Sequence, residues 1–171
     1  MKPGILNRCI NILYRDWAGN KHRPNYHFAF AIKKNKILAV GRNKPDHESN
    51  KALQLGRLYG IEKWNTYPFL HAESDLITRL DPEYQNHKTE ILSLRINRHG
   101  RFKLAKPCVN CQKMLDEIGI TKVVWSCNLE DEVPNDLILG SQHKIMLERV
   151  IKRKINLSVT QEGWEAGVHK F

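Results

Sequence analysis

Two short blocks constrain this chain more than any other feature: His71-Ala72-Glu73 and Pro107-Cys108-Val109-Asn110-Cys111. Each block opens what reads as a helix, and together they carry one imidazole, two thiols and one carboxylate. Zinc takes thiolate and imidazole ligands, and its catalytic sites use three protein ligands and keep a fourth position open. His71, Cys108 and Cys111 supply three such ligands. Glu73 reads as a carboxylate that moves protons, not as a ligand. The blocks are distant in the chain, so a fold that uses them must bring two helix starts together.

Other readings of the same residues stay open. Cys108-Val109-Asn110-Cys111 alone also fits a structural zinc or a redox pair. A structural zinc closes with four ligands, and Cys127 is the remaining candidate, although it follows a strand and lies outside both blocks. A redox pair leaves His71 and Glu73 without a purpose. A histidine at a helix start is, taken alone, an ordinary polar residue.

H-x-E followed by P-C-x-x-C is the signature of zinc nucleobase deaminases. On these residues the chain resembles the cytidine deaminase superfamily. The resemblance implies a three-layer α/β fold, a five-stranded mixed sheet with helices on both faces and the two metal-bearing helices side by side. It also implies one zinc per chain, held by His71, Cys108 and Cys111, with Glu73 as proton shuttle. Gly41-Arg42-Asn43-Lys44 and Ala105-Lys106-Pro107-Cys108 most resemble deoxycytidylate deaminase-like proteins of phages and bacteria. Free cytidine deaminases commonly have Cys where His71 stands. The likeness spans roughly residues 26–126.

The expected reaction is therefore hydrolytic deamination of a cytosine nucleotide, dCMP to dUMP. A cytosine deaminase acting on single-stranded DNA or RNA is the alternative, and a noncatalytic nucleic-acid-binding protein comes third. By the resemblance Asn43 contacts the sugar and the backbone of Ala72 the base edge, while Lys44 and Lys106 meet a phosphate. Asn43 serves equally well as a turn residue, and each lysine as a solvated charge. Arg95, Arg98, Arg101 and Lys103 form a basic rim that suits a phosphorylated substrate or only a solvated face. Trp64, Tyr67 and Phe69 either stack a base or pack in the core.

With 171 residues the chain suffices for one domain with a real core, and residues 1–171 are expected to form a single deaminase domain. Its net charge of +10 attracts polyanions at long range. The basic residues are scattered, however, and do not draw one path for a nucleic-acid strand. No apolar run is long enough to span a bilayer, and the first residues contain no signal-peptide core, so a cytoplasmic protein without a membrane partner is expected. Four cysteines do not make a disulfide framework at this length. The substrate partner is expected to be a small cytosine nucleotide, and homo-oligomers stay possible.

Along the chain, residues 5–17 place Ile5, Cys9, Ile12 and Leu13 near one helical face. Strands are expected at 26–32 and 37–40, joined as a hairpin by residues 33–36. Residues 41–70 read as a long connector with a short helix at 51–59, long enough to act as a lid over the zinc pocket. A helix follows at 71–80, stopped by Asp81-Pro82, then a buried strand at 90–96 and a basic turn at 97–102. Pro107 suits the first turn of the next helix, which Gly119 ends. Strands at 121–125 and 155–160 flank a helix at 143–154.

Overall fold

The computed structural model describes residues 1–19 and 25–127, with Pro45 to His47 described by backbone alone. Helix α1 (Pro3–Gly19) buries Ile5, Leu6, Cys9, Ile10 and Leu13, one stripe at helical spacing. Burial pushes the Cys9 thiol up to about 12, as befits a core residue. Strands β1 (Asn25–Lys33) and β2 (Lys36–Arg42) form the expected hairpin. Its two turn residues, Lys34 and Asn35, have φ of 49° and 60°. Two consecutive positive φ values are what a tight hairpin loop needs to match strand twist.

Strand β5 (Glu90–Asn97) is the middle of the sheet. It runs antiparallel to β1 on one side. Its other edge is shared: β7 (Lys122–Trp125) pairs in parallel with residues 90–93, and β6 (Phe102–Lys103) pairs antiparallel with residues 95–96. The sheet is thus mixed and five-stranded. Its membership differs from expectation, because the turn at 97–102 tightens enough for Phe102 and Lys103 to pair back. The expected helix at 143–154 and strand at 155–160 lie outside the described residues. All the described residues fall in one compact unit, Met1–Glu132.

Alternation along the strands separates two faces. Ala29, Ala31 and Ile91 point into a core shared with Leu55, Trp64, Leu76, Met114 and Leu115. Those residues come from α2 (Asn50–Leu58), α3 (Glu62–Thr66), α4 (Ala72–Ile77) and α5 (Val109–Glu117). Phe28, Phe30, Leu92, Leu94 and Ile96 are buried on the opposite face. Phe102 is paired with Ile96, and the Tyr14 ring of α1 meets it edge-on at 6.0 Å. Helix α1 therefore covers that second face, and helices lie on both sides of the sheet.

Residues 41–70 are not an open connector. They fold into β3 (Lys44–Glu48), α2, α3 and β4 (Phe69–Leu70), with β3 and β4 paired antiparallel. Trp64 and Leu70 are buried in the core, whereas Tyr67 is 60% exposed. Burying Trp64 fastens this segment to the core, so the expected lid is a packed layer. Helix α4 stops at Ile77, short of the expected 80. The Thr78 hydroxyl donates to the Asp75 carbonyl, and the Gln85 amide donates to the carbonyls of Ile77 and Leu80. These side chains satisfy the carbonyl groups that a further helical turn would use. Among the described residues no helix is long and apolar enough to cross a membrane.

Gly41, opposite Ala29 in the hairpin, lets α4 lie directly against β2. A Cβ there would stand 2.1 Å from the Ala72 carbonyl oxygen and 2.3 Å from the Leu76 nitrogen. Both are backbone atoms and cannot swing aside. Gly41→Ala is therefore expected to cost about 3 kcal/mol, the upper end of overpacking effects. Urea denaturation checks this; a loss under about 1 kcal/mol would mean that α4 is not held against β2.

Candidate metal centre

The two blocks enter the core in the same way. His71 is the N-cap of α4 and Cys108 the N-cap of α5, with ψ of 166° and 165° respectively. Neither side chain caps its own helix, which frees both to face each other. Strand β4 leads into His71. The segment leading into Cys108 is fastened by the Ala105 N–H, which donates to the Ser126 carbonyl at 2.9 Å, while the Ser126 N–H donates to Ser93 of β5 at 3.0 Å. Helix α5 then carries Cys111 one turn further, fully buried.

The result is a three-donor cluster. His71 Nδ1 lies 3.4 Å from Cys108 Sγ and 3.4 Å from Cys111 Sγ. All three donor atoms fall within 4.8 Å of one another. A tetrahedral zinc with ordinary Zn–N and Zn–S bonds would set each N···S distance at about 3.6 Å. The spacing therefore fits a metal, and the donor types suit zinc. Cys127 follows β7 and is not part of the group. Among the described residues the cluster thus has three protein donors, the number found in a catalytic zinc site.

Between themselves these groups behave as coupled donors. The hydrogen bond with Cys111 holds the Cys108 thiol down to about 4, against burial. The same contact, then burial, pushes Cys111 well above its usual value, and the Glu73 charge adds to that. Contact with Cys108 raises His71, ahead of the opposing effect of burial.

Glu73 lies in the first turn of α4 and is 1% exposed. A carboxylate so buried needs partners. Ser93 Oγ donates to Glu73 Oε1 at 2.8 Å, and His27 Nε2 lies 2.7 Å from Ser93 Oγ and 3.4 Å from Oε1. A serine has one O–H to give. Since Glu73 receives it, Ser93 accepts from His27, and the imidazole proton belongs on Nε2. Burial pushes the Glu73 carboxyl up, but the His27 contact, its own N–H and Ser93 outweigh this and hold it below the usual range. Glu73 is therefore a carboxylate at neutral pH.

The other candidate residues fall in different places. Asn43 bridges β2 to β1: its Oδ1 accepts the His27 N–H, and its own N–H donates to the His27 carbonyl, both at 3.1 Å. Ala72 is fully buried, with its carbonyl over Gly41. The Lys44 ammonium donates to Asp75 Oδ1 at 2.8 Å. Lys106 is exposed beside Pro107. The structure thus brings His71, Glu73, Cys108 and Cys111 together, while Lys44 is engaged by a carboxylate and Asn43 by β1. His27 and Ser93 were not singled out from the sequence. The available signal was a polar residue within the apolar run of each of two strands.

Asp75 gathers the cations of this region. Its carboxylate accepts from Lys44, from Arg79 Nε at 2.9 Å and from the Arg42 N–H at 3.0 Å. Burial raises its carboxyl, but the Lys44 and Arg79 hydrogen bonds and the Arg42 N–H more than reverse this, so it lies below the usual carboxylate range. A depressed pKa stabilises the fold above the unfolded-state value of about 3.9 and is lost as pH falls through the folded value. Asp75→Asn is expected to cost about 2 kcal/mol at pH 7, since charge-assisted bonds are lost but the two cations can hydrate. The Tm gap between parent and variant should hold steady above pH of about 5 and close below about 3.9. A gap that widens towards acid would refute this role for Asp75.

No family model, curated protein or solved structure matches this chain.

Proposed function

We propose that the chain is a zinc-dependent hydrolase that deaminates a cytosine nucleotide, with dCMP as substrate and dUMP and ammonia as products. The observation that carries this reading is the almost fully buried Glu73, held by Ser93 and set against the His71, Cys108 and Cys111 donors. A structural zinc site needs no buried carboxylate beside it. Zinc held by this set supplies Lewis acidity and makes water a nucleophile at neutral pH.

The chain's own groups then manage the protons. Ser93 and His27 fix Glu73 through Oε1, which orients the carboxylate beside the donor cluster. Glu73 accepts a proton as water adds to the carbon bearing the exocyclic amine. It returns that proton to ring nitrogen N3, and then carries the second proton of the added water to the leaving amine. One carboxylate suffices for both transfers because N3 and the amine are both bonded to the carbon to which water adds. The carbonyl forms as ammonia departs, so atoms and charges balance.

A second reading, deamination of cytosine in single-stranded nucleic acid, is favoured by the net charge of +10. Incubating the zinc-loaded protein with dCMP, CMP, deoxycytidine and a cytosine-bearing single-stranded oligonucleotide separates the readings. Uracil product from dCMP ahead of the oligonucleotide is the expected result. Rapid product from the oligonucleotide with none from dCMP would reverse the order, and no product from any of them would refute deamination.

A further inference from the structure

Among the described residues, the face of the sheet that carries Ser93 is buried over only part of its length. Ala29, Ala31, Ile91 and Ser93 are buried beneath the helices. Two positions further along the same face, His27 and Arg95 are partly exposed. Their neighbours on the opposite face, Tyr26, Phe28, Leu94 and Ile96, are all buried. The exposure is thus confined to one end of one face, and Glu73 stands at its border through the His27 and Ser93 contacts.

The register aligns the cations of that open end. His27 pairs with Arg95, and Arg95 pairs with Lys103, so the three form a row across β1, β5 and β6. Among the described residues, neither the Arg95 guanidinium nor the Lys103 ammonium has a protein partner; the hydrogen bonds at these residues use the Arg95 N–H and the Lys103 carbonyl. Other cations nearby are engaged: Lys44 and Arg79 by Asp75, Arg42 by Asp16. Adjacent strands lie about 4.8 Å apart, so Arg95 and Lys103 start close enough to converge on a single anion. The guanidinium fork matches two phosphate oxygens, with the ammonium as a point charge beside it.

We propose that Arg95 and Lys103 form the binding site for a terminal phosphomonoester, the 5′-phosphate of the nucleotide whose base lies at Glu73. The assignment of the base rests on the deaminase reading; the phosphate site rests on the row itself. A polynucleotide is the weaker fit, because it must be held through several phosphates and the row offers convergence on one.

Equilibrium binding by calorimetry tests this on the zinc-loaded Glu73→Gln chain, in which turnover does not interfere. dCMP is expected to bind at least about tenfold tighter than deoxycytidine, the scale of a charge-assisted hydrogen bond. Arg95→Gln and Lys103→Gln should each weaken dCMP by about tenfold or more and leave deoxycytidine unchanged. Arg95→Lys should fall between parent and Arg95→Gln. Lys36→Gln, at the β1–β2 turn away from the row, should change neither ligand, and matching melting curves establish that each variant folds. Unchanged dCMP affinity in Arg95→Gln or Lys103→Gln overturns the proposal. So does weakened binding of a single-stranded oligonucleotide with dCMP unaffected, which would give the row to a nucleic-acid backbone. If deoxycytidine does not bind at all, the failure lies with the deaminase reading. Inorganic phosphate then tests the row alone: loss of its binding in Arg95→Gln but not in Lys36→Gln supports the site, and equal binding in both refutes it.

Discussion

Glu73→Gln is expected to keep the metal and lower turnover of dCMP by about 10²–10⁴-fold, the range for loss of a general acid–base group. Glutamine has nearly the shape of glutamate and can still accept the Ser93 hydroxyl proton that Glu73 Oε1 receives at 2.8 Å. It cannot take a proton from water. The loss should therefore appear in kcat, with zinc content close to that of the parent. The position is almost fully buried, so the neutral side chain removes a charge from the core without opening a cavity. A variant within about tenfold of the parent, small on the scale of acid–base catalysis, would mean that another group carries the proton.

The second large effect is expected at the thiols. Cys108→Ser with Cys111→Ser removes two of the three donors that converge within 4.8 Å and should abolish zinc binding and activity together. Stability should follow, because a metal that binds only the folded chain adds about 4 kcal/mol when present at a thousand times its Kd. The parent should therefore lose Tm on chelation and regain it with zinc, while the double variant should respond to neither. Zinc retained in full by the double variant would place the metal elsewhere.

Much of this was legible in the sequence because it depends on local rules. Inward alternation in β1 and β5 comes from a period of two, and the Lys34-Asn35 turn sits between two apolar runs. The donor set was legible because zinc restricts ligand types and leaves a recognisable spacing. Long-range geometry accounts for what was missed. Lys44 read as a phosphate contact, but its ammonium meets Asp75, far away in sequence and adjacent only because α4 lies on β2 over Gly41. His27 and Ser93 reach Glu73 only through the β1–β5 register, which no single strand encodes. Of the layer at 41–70 only the short helix at 51–59 was legible, as α2; β3, α3 and β4 escaped for a related reason, since so short a helix as α3 gains its stability from burying Trp64 against residues elsewhere in the chain.

X-ray absorption at the zinc edge of the purified chain, combined with elemental analysis, tests whether His71, Cys108 and Cys111 hold zinc beside Glu73. The expected result is one zinc per chain, with two sulfurs at about 2.3 Å and lighter nitrogen or oxygen ligands at about 2.0–2.1 Å. No zinc above background, or a shell of four sulfurs or of none, would contradict it.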